Sequence, residues 1–538
     1  MDAFRLVPTR PRVERPPEPL PSRAASALQG VVAVSLGVAV GHLVAALTDP
    51  ARSPLAAAGS LVVDLTPTWL EQMAIRLLGT NDKPALLAGL GLVVLGLAAG
   101  AGLLARRNRA LGTALMVALA LAAAGASLTR PGATLLDALP SAVGAVVSAA
   151  AFVLLIRRTT EAEPGTGAAP AFAGDAAPRP KAQPSRRSVL VGILAVGAGA
   201  AVVGAIGESV RRAGAQAAAA LRQVVLPAPA DPALPLPTDV EVGVQGVTPF
   251  RVANADFYRV DTALVVPQVD PSRWSLSLGG MVAAPFVLSY DELLSMPMVE
   301  RDLTLTCVSN EVGGPYAGNA RWLGVRLADL LARAGVDPAA DQLLSTSVDG
   351  WTASTPVSVA LDGRDALVAV GMNGEPLPAE HGFPARLVVP GLYGFVSATK
   401  WVTSIEATTY AARAAYWTER GWATDAPVRT MARIDAPRPL STLAAGRVAI
   451  GGVAWAQHRG VEGVEVQVDD GPWREARLGG VPSDDTWRQW VLGWDAEPGR
   501  HVLRVRATDR TGERQTDERR TPFPSGATGW HEVVVTVE

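Results

Sequence analysis

Hydrophobic residues form long uninterrupted runs in the first part of the chain and short alternating stretches after it. Each long run is close to the length that crosses a lipid bilayer as a helix. The runs occupy residues 24–47, 84–105, 110–128, 139–156 and 189–206. The pattern therefore predicts about five transmembrane helices. The segment 48–83 between the first two runs is predicted to be a loop, with a short surface helix at about residues 69–78.

Arginine clusters predict how these helices are oriented. They occur at 106–109, 157–158 and 186–187, which lie on one side of the membrane if the amino terminus is cytoplasmic. Everything after about residue 207 then lies on the extracytoplasmic face of the plasma membrane. Residues 1–23 are rich in proline and arginine and are predicted to be a disordered cytoplasmic tail.

Short alternating stretches begin at about residue 240. Residues 303–306 alternate apolar and polar side chains, which predicts a strand. Residues 289–294 read as a short capped helix, and residues 325–334 as a helix that ends at Gly335. Strands and short helices of this kind predict one α+β domain over residues 240–430.

The last hundred residues have the texture of an all-β domain. Five strand-like stretches follow one another at regular spacing, at 447–455, 463–469, 487–494, 501–508 and 530–537. This spacing predicts an immunoglobulin-like β-sandwich over residues 431–538.

The chain is thus predicted to be multi-domain. Between the cytoplasmic tail and the α+β domain, we predict four further segments: a four-helix membrane domain at 24–158, a cytoplasmic linker at 159–188, a fifth transmembrane helix at 189–206 and a tether at 207–239. The linker carries Ser185, Arg186 and Arg187 directly before the fifth apolar run. These residues resemble an internal twin-arginine export signal, or they simply follow the positive-inside rule.

Composition excludes several function classes. The chain has 48 Lys and Arg against 50 Asp and Glu, so we expect no nucleic-acid partner. One cysteine excludes an intrachain disulfide. The five histidines are too few and too scattered for a zinc cluster or a set of haem ligands, so no haem is expected in this chain.

Cys307 is the candidate for chemistry. It ends the predicted strand 303–306 and precedes a polar loop with Asn310, Gly313 and Gly314. A free cysteine often acts only as a small buried hydrophobe. At the mouth of a glycine-rich loop, a thiolate is also a suitable soft ligand for a metal.

Several separated motifs resemble the sulfite oxidase family of molybdenum enzymes, over roughly residues 250–538. They lie at residues 304–310, 318–327, 349–352, 372–391 and 400–401, together with a terminal sandwich that resembles the family's dimerisation domain. The resemblance implies a molybdenum atom held by one pterin dithiolene and one cysteine thiolate.

The resemblance also implies roles for single residues. Cys307 is identified as the metal ligand and Arg259 as a second catalytic residue. The expected cofactor-binding residues are Asn254, Ser309, Asn310, His381, Arg386 and Lys400. Arg386 could hold the pterin phosphate through its guanidinium fork.

Two positions depart from the sulfite-oxidising pattern. Glu311 follows Asn310 where those members carry an arginine, and Val370 or Gly371 stands where they carry a tyrosine. A carboxylate repels a dianion. Tyr316, Tyr393 or Arg321 could compensate from other positions.

The resulting hypothesis is a membrane-anchored oxidoreductase that transfers an oxo group to or from a small substrate. Electrons would pass to a separate partner, a cytochrome or a quinone system, and a homodimer is implied by the family. The alternatives are a reductase of S-oxides or N-oxides, a membrane receptor that kept the fold without the metal, and an electron-transfer complex whose helices bind quinone.

Overall fold

The computed structural model describes residues 22–67, 81–130, 133–160, 186–221 and 224–538, together with single positions between 70 and 78. Two compact units make up the chain, Met1–Leu221 and Arg222–Glu538. The described part of the first unit is helical, and the second unit is built mainly from β-strands.

The described helices of the first unit are α1 (Arg23–Leu47), α2 (Pro54–Leu65), α3 (Asp82–Arg107), α4 (Arg109–Leu128), α5 (Leu139–Thr160) and α6 (Arg186–Leu221). Five segments are long and apolar enough to cross a membrane: Arg23–Leu47, Asp82–Arg107, Arg109–Leu128, Leu135–Arg157 and Val191–Arg212. The prediction of five apolar helices is confirmed, and they are consistent with membrane association.

Helix α1 is the centre of this unit because glycines let its neighbours approach closely. A Cβ on Gly37 would collide with the carbonyl oxygen of Gly144 in α5, and one on Gly30 would collide with Ala98 in α3. A Cβ on Gly207 in α6 would lie 3.1 Å from the ring of His42. Small residues at such contacts are what lets helices associate in lipid, where burial of apolar surface gives no advantage.

Two elements of this unit differ from the prediction. Helix α2 lies inside the predicted loop 48–83; Pro54 occupies its first position, where the missing N–H costs no intrahelical bond. Helix α6 continues to Leu221 instead of ending at 206, and Glu208 pairs with Arg211 one turn later at 2.7 Å. The predicted surface helix at 69–78, the tail 1–23 and the linker 159–188 lie mostly outside the described residues.

Two five-stranded sheets form the first part of the second unit. One has the order β2-β1-β10-β5-β6 and the other the order β3-β4-β7-β8, with β9 pairing β7. The strands are β1 (Ser275–Gly280), β2 (Phe286–Ser289), β3 (Val299–Thr306), β4 (Ala317–Arg326), β5 (Gln342–Ser347), β6 (Thr352–Pro356), β7 (Leu367–Met372), β8 (Glu375–Pro376), β9 (Arg386–Val388) and β10 (Val402–Thr408). Short helices connect them: α7 (Tyr290–Ser295), α8 (Leu327–Ala334), α9 (Val357–Ala360) and α10 (Gly394–Ser397).

Capping residues mark one end of each of the two predicted helices. Ser289 and Glu292 form a capping box at the start of α7, with the Ser289 N–H donating to Glu292 at 2.7 Å. Helix α8 ends at Gly335, whose φ of 65° is the left-handed conformation that glycine adopts without strain.

Two further sheets share the last core of the chain, with the orders β11-β13-β17-β16 and β12-β19-β18-β14-β15. Their strands are β11 (Met431–Ala436), β12 (Thr442–Leu443), β13 (Gly446–Trp455), β14 (Val461–Val468), β15 (Arg474–Glu475), β16 (Arg477–Leu478), β17 (Arg488–Ala496), β18 (Gly499–Asp509) and β19 (His531–Val537). All five predicted strands are present. The immunoglobulin-like assignment stays a prediction.

Strand β3, which leads to Cys307, is an edge strand whose outer side is covered. At its start, the Glu300 N–H donates to the Asp231 carbonyl at 2.9 Å, and the Asp231 carboxylate lies 2.6 Å from Arg301 and from Arg326. The predicted tether 207–239 is therefore not free chain. Its first part belongs to α6, and residues around Asp231 run along β3, because an edge strand offers unpaired backbone groups.

Candidate functional site

Cys307 lies where β3 leaves its sheet and enters the Cys307 loop, residues 307–316. It is buried, and its N–H donates to the Tyr316 carbonyl at 2.9 Å. Burial raises the pKa of the thiol, while hydrogen bonds from Ser309 and the charge of Lys400 lower it. A buried neutral thiol is a poor nucleophile, and it becomes a metal ligand only when metal binding displaces its proton. The environment therefore argues against a reactive thiol, and the role of Cys307 as a metal ligand stays a prediction.

Asn310 closes the Cys307 loop. Its N–H donates to the Cys307 carbonyl at 3.0 Å, and its Oδ1 accepts the N–H of Tyr316 at 2.7 Å. These contacts shape the loop around the thiol. A direct role of Asn310 in cofactor binding stays a prediction.

Arg386 is a buried cation, only 6% exposed, at the start of β9. Its guanidinium donates to the carbonyls of His381 and Ala398 at 3.2 and 3.4 Å, and it lies 5.1 Å from the Trp322 ring centre. Burial lowers the pKa of Arg386 to about 10. Among the described residues, no carboxylate lies within ion-pair distance of it. A buried charge without a counter-charge is costly, so this position is suited to an anionic ligand.

His381 is neutral and has a defined tautomer. Its Nε2 lies 2.9 Å from the Asn254 carbonyl, and a carbonyl only accepts, so Nε2 carries the proton and Nδ1 is an acceptor. Burial lowers the pKa of His381 to about 4, with the charges of Arg386 and Lys400 acting in the same direction. The side chain of Asn254 is itself held by Asn373 at 2.9 Å.

Lys400 and Arg259 share one buried carboxylate, Asp261. Lys400 Nζ lies 2.7 Å and Arg259 Nε 2.8 Å from Asp261 Oδ2. Burial lowers the pKa of Lys400 to about 8, and Asp261 opposes that change. The side chain of Lys400 is 9% exposed, whereas that of Arg259 is 38% exposed. Lys400 therefore lies inside the cluster, and Arg259 lies at its rim; the catalytic role of Arg259 stays a prediction.

Tyr258 is the residue that sequence reasoning missed. Its ring stacks on Phe257 at 5.1 Å between centroids and lies 6.3 Å from the Tyr316 ring. Burial and then the neighbouring Cys307 raise the pKa of Tyr258, while Arg386 lowers it. The phenol is therefore a neutral hydrogen-bond donor beside the thiol. Consecutive residues in a segment without strand or helix periodicity point in directions that the sequence does not encode, so it could not separate Tyr258 from Arg259.

The positions that depart from the sulfite-oxidising pattern differ in burial. Glu311 is exposed, and Val370 is fully buried in the core on β7. Arg321 is committed to Asp302 at 2.7 Å, so it is not a free cation. Tyr393 is buried near enough to Cys307 for the thiol to contribute to its raised pKa of about 12, whose main cause is burial.

The residues present fit a molybdopterin cofactor. Among the described residues, no group of three or more His, Cys, Asp and Glu side chains is placed to hold a metal ion, so a metal at Cys307 needs a cofactor that brings its own ligands. A soft thiolate matches a metal already bound by sulfur. The guanidinium of Arg386, which has carbonyl acceptors but no carboxylate partner among the described residues, matches a phosphate.

Comparisons with known proteins also indicate a molybdopterin-binding domain. The family model for the "Oxidoreductase molybdopterin binding domain" matches residues 263–417. The chain is 31% identical over 296 residues to the mitochondrial sulfite oxidase of Homo sapiens, covering 45% of this chain and 53% of that protein. It is 35% identical over 162 residues to the "Uncharacterized oxidoreductase YuiH" of Bacillus subtilis (strain 168), covering 30% of this chain and 79% of that protein. The chain belongs to the sulfite oxidase family.

Membership in the sulfite oxidase family, a family of molybdenum-dependent oxidoreductases, confirms the resemblance seen in the motifs. The chain spans about half the length of its mammalian relatives, 53% for the human protein. Among solved structures, the sulfane dehydrogenase SoxCD from Paracoccus pantotrophus aligns with a TM-score of 0.47 at 24% identity, covering 55% of this chain and 85% of that one. The family model includes Cys307, His381, Arg386 and Lys400 but begins after Tyr258, so the place of Tyr258 rests on the structure alone.

Proposed function

We propose that this chain is a membrane-anchored oxidoreductase that transfers an oxygen atom at a molybdenum bound through Cys307. One observation carries the proposal. The only cysteine of the chain is buried in the same cluster as Arg386, a buried cation that has no carboxylate partner among the described residues. A thiol ligand and an anion site brought together in one interior are what a pterin cofactor requires of a protein.

The chain's residues bind and orient the cofactor, which when bound supplies two-electron redox chemistry and oxygen-atom transfer at molybdenum. Cys307 loses its proton to become the thiolate ligand. Arg386 and Lys400 would hold the anionic phosphate of the cofactor, and His381 would offer Nδ1 as a hydrogen-bond acceptor. Tyr258, whose neutral phenol lies near Cys307 and Arg386, would be a hydrogen-bond donor to a bound substrate.

The substrate proposed first is a small oxo acceptor such as sulfite, which follows the relatives' names. A second candidate is an S-oxide or N-oxide that is reduced. Arg321 is neutralised by Asp302, and Val370 is packed in the core, so neither completes an anion pocket. That observation favours a neutral oxide over a dianion.

The cellular setting follows from the sequence. We propose that residues 222–538 lie on the extracytoplasmic face of the plasma membrane and that electrons pass to a separate cytochrome or quinone system. The terminal two-sheet domain is proposed to be immunoglobulin-like and to support a homodimer. The domain divisions predicted from the sequence are part of this proposal, with the differences at α2, α6 and residues 224–239 noted above.

Metal and pterin analysis of the full-length chain tests the proposal. We expect one molybdenum and one pterin per chain in the wild type, and neither in Cys307→Ser. Assays with artificial electron carriers, run with sulfite and with a sulfoxide, then decide between oxidation and reduction. A wild-type chain without molybdenum would overturn the proposal and favour the receptor alternative.

A further inference from the structure

The Cys307 strand and loop are held from outside their own domain. Strand β3 is the edge of its sheet, and the end next to Cys307 is covered by residues of the terminal two-sheet domain. The Thr304 N–H donates to the Asp485 carbonyl at 2.9 Å, and the Trp487 N–H donates to the Thr304 hydroxyl at 2.8 Å. The other domain therefore accepts a backbone N–H on the outer edge of β3 and adds a second hydrogen bond to the Thr304 hydroxyl, which already donates to Asn319 on β4.

Gln457, in the turn after β13, makes the most direct of these contacts. Its Nε2 donates to the Thr306 hydroxyl at 2.8 Å and to the Thr304 carbonyl at 3.3 Å. Gln457 is 1% exposed, and Thr304 and Thr306 are each 2% exposed. Thr306 is the residue directly before Cys307. A buried amide bonded to both threonines limits how far the end of β3 can move.

The far side of the Cys307 loop is held by two other residues of the same domain. Arg433 on β11 donates from Nη1 to the Gly314 carbonyl at 2.9 Å, and its Nε is anchored by Asp435 at 2.6 Å. The His531 ring on β19 packs directly against Gly313: a Cβ added to Gly313 would lie only 2.2 Å from the nearest ring atoms. Gly313 has a φ of 79°, so the absence of a side chain serves both the turn and the close approach.

We infer that the terminal two-sheet domain is a structural part of the metal site, with Gln457 and Arg433 as positioning residues for Cys307. The inference rests on the proposed function in that Cys307 is taken to be the metal ligand. A ligand bound to metal must be held within a fraction of an ångström, and the groups behind it supply that restraint. Gln457 and Arg433 both lie beyond residues 263–417, the range matched by the family model.

Labelling of the thiol tests this inference directly, because Cys307 is the only cysteine in the chain. Full-length chain from molybdate-depleted cells is treated in detergent with a thiol reagent at one pH, and the rate is compared among variants. We expect Gln457→Leu to label about fivefold faster or more than the wild type, because loss of two buried hydrogen bonds favours local opening.

Gln467→Leu is the matched control. Its amide donates to the Gly471 carbonyl at 2.8 Å within the same terminal domain, away from β3. This variant should label at the wild-type rate. Equal rates for Gln457→Leu and the wild type would overturn the inference, as would an equal increase in both glutamine variants.

Two additional measurements keep the inference testable. If Gln457→Leu does not fold, Gln457→Asn and Arg433→Lys are measured instead, and each should label faster than the wild type; wild-type rates in both would overturn the inference. When the same variants are purified from molybdate-fed cells and dialysed, they should lose molybdenum faster than Gln467→Leu. A wild type that binds no molybdenum would overturn the proposed function, but the labelling rates could still be compared.

Discussion

Burial favours the neutral forms of the groups around Cys307. It raises the pKa of the thiol and of the Tyr258 phenol, both neutral at pH 7 in any case, and it lowers the pKa of His381 to about 4, so that the imidazole is neutral as well. Arg386 stays charged, with a pKa of about 10. The cluster therefore combines neutral donors and acceptors with a fixed cation that lacks a carboxylate partner among the described residues. This arrangement favours an anionic cofactor.

Replacing Arg386 with glutamine should lower the molybdenum and pterin content of the purified chain about tenfold or more, because charge-assisted contacts to the phosphate are lost. Arg386→Lys should retain more cofactor than Arg386→Gln but less than the wild type, since a lysine lacks the planar fork. Arg447→Gln is the control, because Arg447 forms an exposed ion pair with Asp495. Full cofactor content in Arg386→Gln would contradict the phosphate role.

Tyr258→Phe should keep its molybdenum but lose turnover, by about a hundredfold if the hydroxyl donates to the reacting oxygen. Tyr290→Phe is a control within the same core, because the buried Tyr290 hydroxyl has no hydrogen-bond partner among the described residues. Steady-state rates and metal content are measured together. If Tyr258→Phe turns over at the wild-type rate, the hydroxyl takes no part in the reaction.

His381 should make stability fall in acid. Its folded pKa of about 4 lies below the unfolded value of 6.5, so the unfolded chain binds the proton first as the pH falls. Stability is lost between pH 6.5 and about 4, with a slope of up to about 1.4 kcal/mol per pH unit. Denaturant unfolding of the full-length chain in detergent at pH 7 and 4.5 measures this change.

In His381→Gln the acid dependence should be weaker. His501→Gln is the control, because Asp469 raises the pKa of His501, and a raised pKa gives stability that is complete below the unfolded pKa and disappears only as the pH rises. Between pH 6.5 and 4, its removal should therefore leave the slope unchanged. An unaltered slope in His381→Gln would show that the histidine is not buried neutral.

Helices and strands carry these side chains to one place. Strand β3 delivers Cys307, strand β9 delivers Arg386, and the turn before β9 delivers His381. In the sheet that contains β3, Ala369 on β7 pairs with Arg386 on β9. Short capped helices such as α7 fill the spaces between the sheets and do not contribute directly to the cluster.

Ser289→Ala should lower the free energy of unfolding by about 1 kcal/mol, because the capping box of α7 loses its hydroxyl acceptor. Cofactor content should not change. Ser295→Ala removes another hydroxyl of the same helix, one that donates to the Glu292 carbonyl at 2.7 Å, and should cost less. Equal stabilities for Ser289→Ala and the wild type would mean that the cap contributes nothing to this domain.

The chain as a whole joins an apolar helical unit to a mixed α+β unit with a terminal two-sheet domain. In the first unit, glycines let neighbouring helices pack closely against α1. In the second unit, other segments hydrogen-bond to the outer edge of β3. The proposed membrane setting of the first unit accounts for this difference. Helices in lipid associate by close backbone approach, whereas a domain in water depends on apolar burial and completed hydrogen bonds.

Gly37→Leu should disrupt the contact between α1 and α5 and lower the thermal stability of the full-length chain in detergent by several degrees or prevent its folding. Gly100→Leu introduces the same side chain at a position where a Cβ meets nothing within 4 Å. That variant should behave like the wild type. If both variants have wild-type stability, the glycine contacts do not hold this unit together.

The sequence by itself determined the five apolar helices, strand 303–306, the five strands of the last hundred residues, and Cys307 as a candidate for chemistry. The family resemblance of its motifs added His381 and Arg386. Periodicity encodes the helices and strands, because it depends on neighbouring residues. Only the tertiary structure decided that Tyr258 lies in the cluster while Arg259 lies at its rim. It also decided that Glu311 is exposed while Val370 is buried in the core, and that Gln457 and Arg433 reach the Cys307 strand and loop. The contacts of Gln457 and Arg433 join residues more than a hundred positions apart, and no local pattern records a distance of that kind.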